Sequence, residues 1–420
     1  MWRPGGRPRT AYVLAGLLVV GLVLAGIAVA ARGGGRHSEQ ARAAPPTADP
    51  VPASESPASS AATATASAPP TVDNEIASVL PELERFVERT RGLTYRQPVV
   101  PTLLDDAAFR KRLTSSTAQQ TDRRRNARPD DAETTLRALD LLPRGTSLQA
   151  ETAAFTGDAV GGFYDPRSKE LVVRGTKATP FLKEILAHEL THALQDQYFP
   201  LDRPDLDASD TEVGLAFSAL AEGDAVRVQE AYLRSLSPAE RTAAAKEQSQ
   251  GYGKAGADTP PALQGLFGFP YSAGPVFVRA LLADGGQARL DAAFGNPPTT
   301  SEQVSEPAKY LAAEGPQRVD PPPAGGTVVD RGVLGEEGLF LLLASELGKQ
   351  AAEQDSRGWG GDRYVSWHDG VRDCSRIALY MDDARATSSA LAGLREWARA
   401  KPAATVTGTG PITITSCREP

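Results

Sequence analysis

A His-Glu-Leu-Thr-His run at residues 188–192 combines the residue types that bind a divalent metal ion and use it for chemistry. Side chains four residues apart lie one above the other on one face of an α-helix, so His188 and His192 can hold one ion. Glu189 then projects beside that ion, where a general base is needed to take a proton from water. The chain has only four histidines, so this spacing is rare by chance. The pattern predicts a catalytic zinc (Zn2+) site.

A catalytic zinc takes three protein ligands and keeps a fourth position free, so a third ligand must come from elsewhere. Glu222 lies in an Ala-Glu-Gly-Asp-Ala run on the next long predicted helix, where a carboxylate among apolar residues needs a partner such as a cation. His368 competes with it but lies in a Trp-His-Asp-Gly turn far downstream. Pairing of Glu222 with Arg227 is the structural alternative. We predict Glu222 as the third ligand.

Ligand histidines usually donate their second ring N–H to a carboxylate or carbonyl oxygen. Asp196 follows His192 by one helical turn and can share its face, and Asp224 is the other available carboxylate. A solvated charge near the end of a helix is the alternative for Asp196.

Three elements must position these groups. Strand-forming residues on both sides of an Asp-Pro-Arg-Ser turn predict a short hairpin over Phe163–Arg174. Thr179 followed by Pro180 predicts the start of a helix that continues to Tyr198. Leucines at every fourth position predict its buried stripe and leave the histidines on another, open face: Leu182, Leu186, Leu190 and Leu194. A second helix, predicted over residues 212–235, carries Glu222.

The first 72 residues predict membrane attachment. A basic segment (1–10) precedes an uninterrupted apolar run (11–31) that is long enough to cross a bilayer. Residues 32–72 are rich in Ala, Pro, Ser and Thr, as expected of a disordered tether. We predict a single-pass signal anchor in the cell membrane, with the folded part extracellular. Cleavage after residues 28–30 would instead give a secreted protein.

The remaining chain is divided into three predicted parts. Residues 73–150 form a helical subdomain, which could be a prosegment, a structural unit or a lid, and residues 151–355 form the metal-binding domain. Residues 356–420 alternate strands and a helix. Cys374 and Cys417 in an exported chain predict one disulfide, with two free buried thiols as the alternative. The net charge of −7 argues against nucleic acid as a partner.

These motifs resemble the gluzincin clan of metallopeptidases, the thermolysin-like group. Gly-Phe-Tyr-Asp-Pro before the first helix, the histidine run within it and Ala-Glu-Gly-Asp-Ala after it are similar to uncharacterised exported bacterial members, over about residues 140–370. The resemblance implies an α+β fold: a mostly helical zincin-like domain with a hairpin before the histidine helix, plus a small C-terminal α/β appendage. The chain departs from thermolysin in its gap of 30 positions between His192 and Glu222. It also lacks an aspartate four residues after Glu222.

A further box, Phe-Pro-Tyr-Ser-Ala-Gly at residues 269–274, resembles the Pro-Tyr-x-x-Gly box of aminopeptidase relatives in that clan. The tyrosine of that box stabilises the tetrahedral intermediate, so the resemblance implies a catalytic role for Tyr271. A core aromatic residue is the alternative. The amine-anchoring Gly-x-Met-Glu-Asn motif of those aminopeptidases is absent from the sequence.

The sequence thus predicts a zinc metallopeptidase that hydrolyses peptide or protein substrates outside the cytoplasmic membrane. Its ligands are His188, His192 and Glu222, and Glu189 is the general base. An extended peptide is expected to pair with the hairpin by strand addition. Two alternatives stay open: an exported zinc-binding scaffold without hydrolytic activity, and an adhesion protein whose metal site is fortuitous.

Overall fold

The computed structural model describes residues 75–123, 129–159, 161–207, 212–251 and 259–419. The predicted basic segment (1–10), signal anchor (11–31) and linker (32–72) lie outside the described residues. The elements below therefore belong to the part of the chain that follows the predicted tether.

Helices make up most of the described secondary structure, and the fold is mixed α+β. The helices are α1 (Glu75–Arg91), α2 (Asp106–Arg123), α3 (Pro129–Ala138), α4 (Leu148–Ala159), α5 (Pro180–Asp196), α6 (Pro204–Asp207), α7 (Val213–Ser235), α8 (Pro238–Gly251), α9 (Pro261–Gly295), α10 (Ser301–Ser305), α11 (Pro307–Leu311), α12 (Gly335–Leu347), α13 (Lys349–Ser356) and α14 (Ala384–Arg399). The strands are β1 (Pro101–Leu104), β2 (Gly162–Asp165), β3 (Glu170–Arg174), β4 (Thr327–Gly332), β5 (Trp359–His368), β6 (Asp373–Met381), β7 (Ala404–Thr407) and β8 (Ile412–Arg418).

The smaller sheet contains the predicted hairpin, β2 and β3, which pair antiparallel. A third strand, β1, pairs parallel to β3, so that the strand order is β1-β3-β2. The sequence analysis missed β1, because four residues that begin with a proline carry little alternation. Strand β3 therefore has a neighbour on both sides, and β2 forms the edge of the sheet beside α5.

The larger sheet is antiparallel with strand order β4-β5-β6-β8-β7. Cys374 on β6 lies directly opposite Cys417 on β8, and the two form a disulfide. The predicted disulfide is therefore confirmed, and the alternative of two free thiols is wrong. The predicted C-terminal strands and helix correspond to β5, β6, α14 and β8.

One hydrophobic core continues across the boundaries of the three predicted parts. Its buried members include Ile76 on α1, Leu190 on α5 and Ile377 on β6. Polar contacts also cross these boundaries: Thr135 on α3 donates a hydrogen bond to Asp330 on β4 at 2.7 Å. The helical N-terminal part thus shares its interior with the rest of the described chain.

Helix α9 contains two glycines, Gly285 and Gly286, whose backbone angles are not helical. The helix begins at Pro261, is interrupted at this glycine pair, where Gly286 takes a positive φ of 64° and the axis kinks, and then resumes as far as Gly295. By length and apolar composition alone α9 could cross a membrane, which is weak evidence because half of its most apolar window is buried inside the protein. Its packing against α7 makes it a core helix of this fold.

Candidate metal and catalytic site

Helix α5 begins as its sequence predicts. Thr179 is the N-cap, and its hydroxyl oxygen accepts a hydrogen bond from the backbone N–H of Leu182 at 3.1 Å. The four predicted leucines are all buried. The histidine face is not open, however, since His188 and His192 are also fully buried. The expectation of an open face is wrong because α7 packs on α5, and α9 packs on α7.

Three side chains from α5 and α7 converge beneath this cover. The Nε2 atoms of His188 and His192 are 3.1 Å apart, and Glu222 Oε2 lies 3.1 Å from the first and 3.4 Å from the second. All three residues have no exposed surface. This group could hold a metal ion.

The spacing of the three atoms fits one small ion. In a tetrahedral site the ligand atoms are separated by about 1.6 times the metal–ligand distance, which gives about 3.3–3.4 Å for bonds of about 2.0–2.1 Å. The observed separations of 3.1–3.4 Å are close to these values. Two imidazole nitrogens and one carboxylate oxygen are also a donor set that zinc accepts.

A glutamine fixes the proton on the first histidine. His188 Nδ1 lies 2.9 Å from the side-chain oxygen of Gln229, and the amide nitrogen of Gln229 donates to Glu184 at 2.7 Å. The Glu184 carboxylate accepts that bond, so the amide oxygen must face the histidine. An amide oxygen can only accept, and Nδ1 of His188 therefore carries the proton.

A second glutamine fixes the proton on His192 in the same way. His192 Nδ1 lies 3.0 Å from Gln195 Oε1, while Gln195 Nε2 donates to the Ala221 carbonyl at 3.1 Å and to Asp224 at 3.0 Å. His192 Nδ1 therefore carries the proton.

Both Nε2 lone pairs of the histidines consequently point towards Glu222. Three electron-rich atoms facing one another at about 3 Å repel unless a cation lies between them. This arrangement fits a bound metal ion.

The two glutamines were missed by the sequence analysis, and the predicted carboxylates do not touch the histidines directly. Asp196 instead accepts hydrogen bonds from the Tyr164 hydroxyl at 2.7 Å and from Lys169 at 2.6 Å. Asp224 acts on His192 only through Gln195. Helical spacing could have identified Gln195, because it lies three residues after His192 and therefore on the same face of the helix.

His368, the competing ligand candidate, lies elsewhere. It ends strand β5, its side chain is half exposed, and its Nδ1 pairs with Asp373 at 2.7 Å. The metal-binding group of α5 and α7 does not include it.

Glu189 lies next to the two histidines with its two oxygens in different surroundings. Its Oε2 accepts a hydrogen bond from the backbone N–H of Tyr164 on β2 at 2.9 Å. Its Oε1 is buried and has no hydrogen-bond partner among the described residues. Burial raises the pKa of Glu189 to about 8, and the negative charge of Glu222 adds to the rise. Without a cation nearby the carboxyl group therefore holds a proton at neutral pH, whereas a metal ion bound to the neighbouring ligands would lower this pKa and leave the unpaired oxygen able to accept a proton.

Tyr271 on α9 completes the group that the sequence predicted. Its ring stacks on His188 with the centroids 6.5 Å apart, and its hydroxyl donates a hydrogen bond to Glu222. Burial raises the pKa of Tyr271, as do the nearby charges of Glu222 and Glu189, so the hydroxyl keeps its proton.

A glycine contact between α7 and α9 brings Tyr271 to Glu222. A Cβ at Gly223 would lie 2.3 Å from backbone atoms of Gly274, and a Cβ at Gly274 would lie 2.1 Å from the carbonyl oxygen of Ala219. Only glycine at both positions permits this backbone approach. Gly223 directly follows the candidate ligand, and Gly274 lies one helical turn after Tyr271.

No protein-family model, no curated protein and no solved structure matches this chain. The structure nevertheless brings together in one place the residues that the motifs single out: His188, Glu189, His192, Glu222 and Tyr271.

Proposed function

We propose that this protein is a zinc-dependent hydrolase of peptide bonds, with a zincin-like domain of the gluzincin type. One observation carries the proposal: three metal-binding atoms converge within 3.4 Å, beside a buried carboxylate oxygen that has no protein partner in the described chain. The first feature provides for a metal ion and the second for a proton acceptor. Together they match the requirements of metal-assisted hydrolysis.

His188, His192 and Glu222 would hold the zinc, which when bound lowers the pKa of water and polarises a carbonyl group. Glu189 Oε1 takes a proton from the water whose oxygen attacks the carbonyl carbon of the substrate. The same carboxyl group then gives that proton to the leaving amine as the C–N bond breaks. The backbone N–H of Tyr164 holds Oε2 and so keeps Oε1 directed into the site.

Tyr271 is the proposed donor to the developing oxyanion. Its hydroxyl already carries a proton and lies against Glu222 and His188, within the same buried group. A neutral donor that is in place before the reaction stabilises the charge that develops in the transition state.

The edge of the smaller sheet is the proposed position of the substrate backbone. Because β1 and β2 flank β3, a peptide can add only along the outer edge of β2 or of β1. The backbone N–H of Tyr164 on β2 donates a hydrogen bond to Glu189, so the β2 edge lies beside the proposed general base. All four residues of β2 are buried, so entry of a peptide requires movement of the covering elements.

The same burial favours a second candidate, an exported zinc-binding scaffold without hydrolytic activity. Structural zinc sites are closed to solvent, as this one is. They are usually closed by four protein ligands, however, and the described residues bring three together here. We therefore prefer the hydrolase.

The proposed location is outside the cytoplasm, tethered to the membrane through residues 11–31 or released by cleavage of that segment. The disulfide between Cys374 and Cys417 supports an oxidising compartment. Peptides or proteins in that compartment are the proposed substrates.

The test compares the wild-type chain with Glu189→Gln. Both proteins are purified without metal, loaded with zinc and assayed for zinc content and for cleavage of a mixed peptide library. We expect both to bind one zinc ion per chain. Cleavage should fall by a factor of about 10²–10⁴ or more in Glu189→Gln, because the amide cannot accept the proton. Equal cleavage by the two zinc-loaded proteins would refute the hydrolase, and zinc binding with no cleavage by either would favour the scaffold.

A further inference from the structure

Arg91, the last residue of α1, is fully buried although it carries a charge. Its guanidinium pairs with Asp224 on α7 at 2.5 Å and with Asp291 on α9 at 2.6 Å. The rings of Phe199 and Phe294 lie against it, each with its centroid 5.7 Å from the guanidinium carbon. Charged groups are buried this completely only where they are paired. Arg91 thus links α1 to α7, which carries Glu222, and to α9, which carries Tyr271.

Asp224, the partner of Arg91, is connected to the candidate metal ligand His192 through one further side chain, Gln195. Asp224 Oδ2, the oxygen that pairs with Arg91, also accepts the hydrogen bond from Gln195 Nε2 at 3.0 Å. Gln195 Oε1 in turn accepts a hydrogen bond from His192 Nδ1. Four side chains from three helices therefore form one continuous series of contacts from α1 to the metal site.

We propose that Arg91 is a positioning residue for the metal site, acting on His192 through Asp224 and Gln195, so that α1 is a permanent part of the metal-binding unit. Without Arg91, the buried Asp224 keeps only Arg227, which pairs with its other oxygen, Oδ1. Among the described residues no cation then holds Oδ2 towards Gln195, and the Ala221 carbonyl is the remaining acceptor that fixes the amide nitrogen, so the amide can turn that nitrogen towards His192 more easily. A donor facing Nδ1 would favour the tautomer whose proton lies on Nε2, where a metal ion must bind.

This role has a consequence for processing of the chain. A prosegment is removed to give the active form, whereas loss of α1 would remove the cation that holds this series of contacts in place. The active form is therefore expected to retain Arg91. Any cleavage that releases the protein from its tether should occur before residue 75, where α1 begins.

The test measures zinc affinity in the full chain by competition with a chromogenic chelator, so that it does not depend on hydrolysis. It uses Gln195→Leu, Arg91→Met, the double variant, and Arg89→Met as the matched control on the exposed face of α1. Loss of an outer hydrogen-bond partner typically weakens metal binding about 10–100-fold. We expect zinc affinity to fall by about 10–100-fold in Gln195→Leu and by about tenfold in Arg91→Met. The double variant should be no weaker than Gln195→Leu, because both changes break the same series of contacts.

Three results would show that Arg91 does not position the metal site. Wild-type affinity in Arg91→Met, or fully additive losses in the double variant, would overturn the proposal. A lower melting temperature of the metal-free protein with unchanged zinc affinity would also overturn it, since Arg91 would then act on stability alone. If Arg91→Met does not fold, Asp224→Asn replaces it in the same cycle with the same expectation. The inference rests on the metal site of the proposed function, and failure of the wild-type chain to bind zinc would contradict that site first.

Discussion

The glycine contact between α7 and α9 gives a prediction with a matched control. In Gly223→Ala the added Cβ would lie 2.3 Å from the backbone carbon and oxygen of Gly274, where ordinary contact begins at 3.4 Å. The two backbones must therefore separate by about 1.1 Å, the difference between these distances. Metal–ligand distances tolerate only about 0.2 Å. Because Glu222 is the adjacent residue, the shift should displace a metal ligand.

Two losses are expected in Gly223→Ala. Overpacking a close contact costs about 1–3 kcal/mol, and the clash between two backbones should place this substitution near 3 kcal/mol. The dissociation constant for zinc should rise at least about tenfold, since the ligand triangle no longer fits one ion. The free energy of unfolding is measured by denaturant titration of the metal-free protein, and zinc affinity is measured by chelator competition.

Gly268→Ala is the control on the same helix as Gly274. A Cβ at Gly268 meets no atom within 4 Å, so this substitution should leave zinc affinity unchanged. It should also stabilise α9 by about 0.5–1 kcal/mol, because alanine loses less backbone freedom than glycine when a helix forms. If Gly223→Ala matched Gly268→Ala in both measurements, the glycine contact would not position Glu222 and this reasoning would be refuted.

Two further predictions concern regions away from the ligands. Burial raises the pKa of Glu212 from 4.5 to about 8, so the folded chain holds a proton that the unfolded chain releases. The resulting stability is present below pH 4.5 and is lost as the pH rises through 8. Glu212→Gln should flatten the change in melting temperature between pH 6 and 8.5, and exposed Glu353→Gln should not. Replacing Cys374 and Cys417 by alanine removes the disulfide between them, which links residues 43 positions apart in the sequence. This should lower stability by about 3–4 kcal/mol without changing zinc affinity, whereas altered affinity would contradict the separation of this sheet from the site.

Local signals in the sequence predicted the elements that position the ligands. Thr179-Pro180 correctly identified the start of α5, because a side-chain cap and a proline act within one turn. The turn between two runs of strand-forming residues correctly predicted the hairpin of β2 and β3. Glu222 was predicted to pair with a cation because an unpaired carboxylate among apolar neighbours is costly. Its Oε2 lies 3.1 Å from Nε2 of His188.

Features that depend on distant segments were not predictable in this way. The parallel partner β1 is about 70 residues from β3 in sequence, and four residues carry no sign of their pairing partner. The burial of His188 and His192 depends on how α7 and α9 pack, which the periodicity of α5 alone does not contain. The glutamines at the histidines were missed because carboxylates are common partners of ligand histidines, whereas the histidines here bind neutral amides buried between helices.

The position of one unpaired carboxylate oxygen, beside the candidate metal ligands, favours the proposed hydrolase over the scaffold. Leaving a buried acceptor without a partner costs about 1–3 kcal/mol, and more for a charged group. Glu189 carries such an atom, Oε1, while Tyr164 satisfies its other oxygen. The buried N–H of Tyr164 needs only one acceptor oxygen at position 189, so folding alone gives no reason for the second, unpaired oxygen there. A proton acceptor, in contrast, must have a free lone pair directed towards the water that it deprotonates.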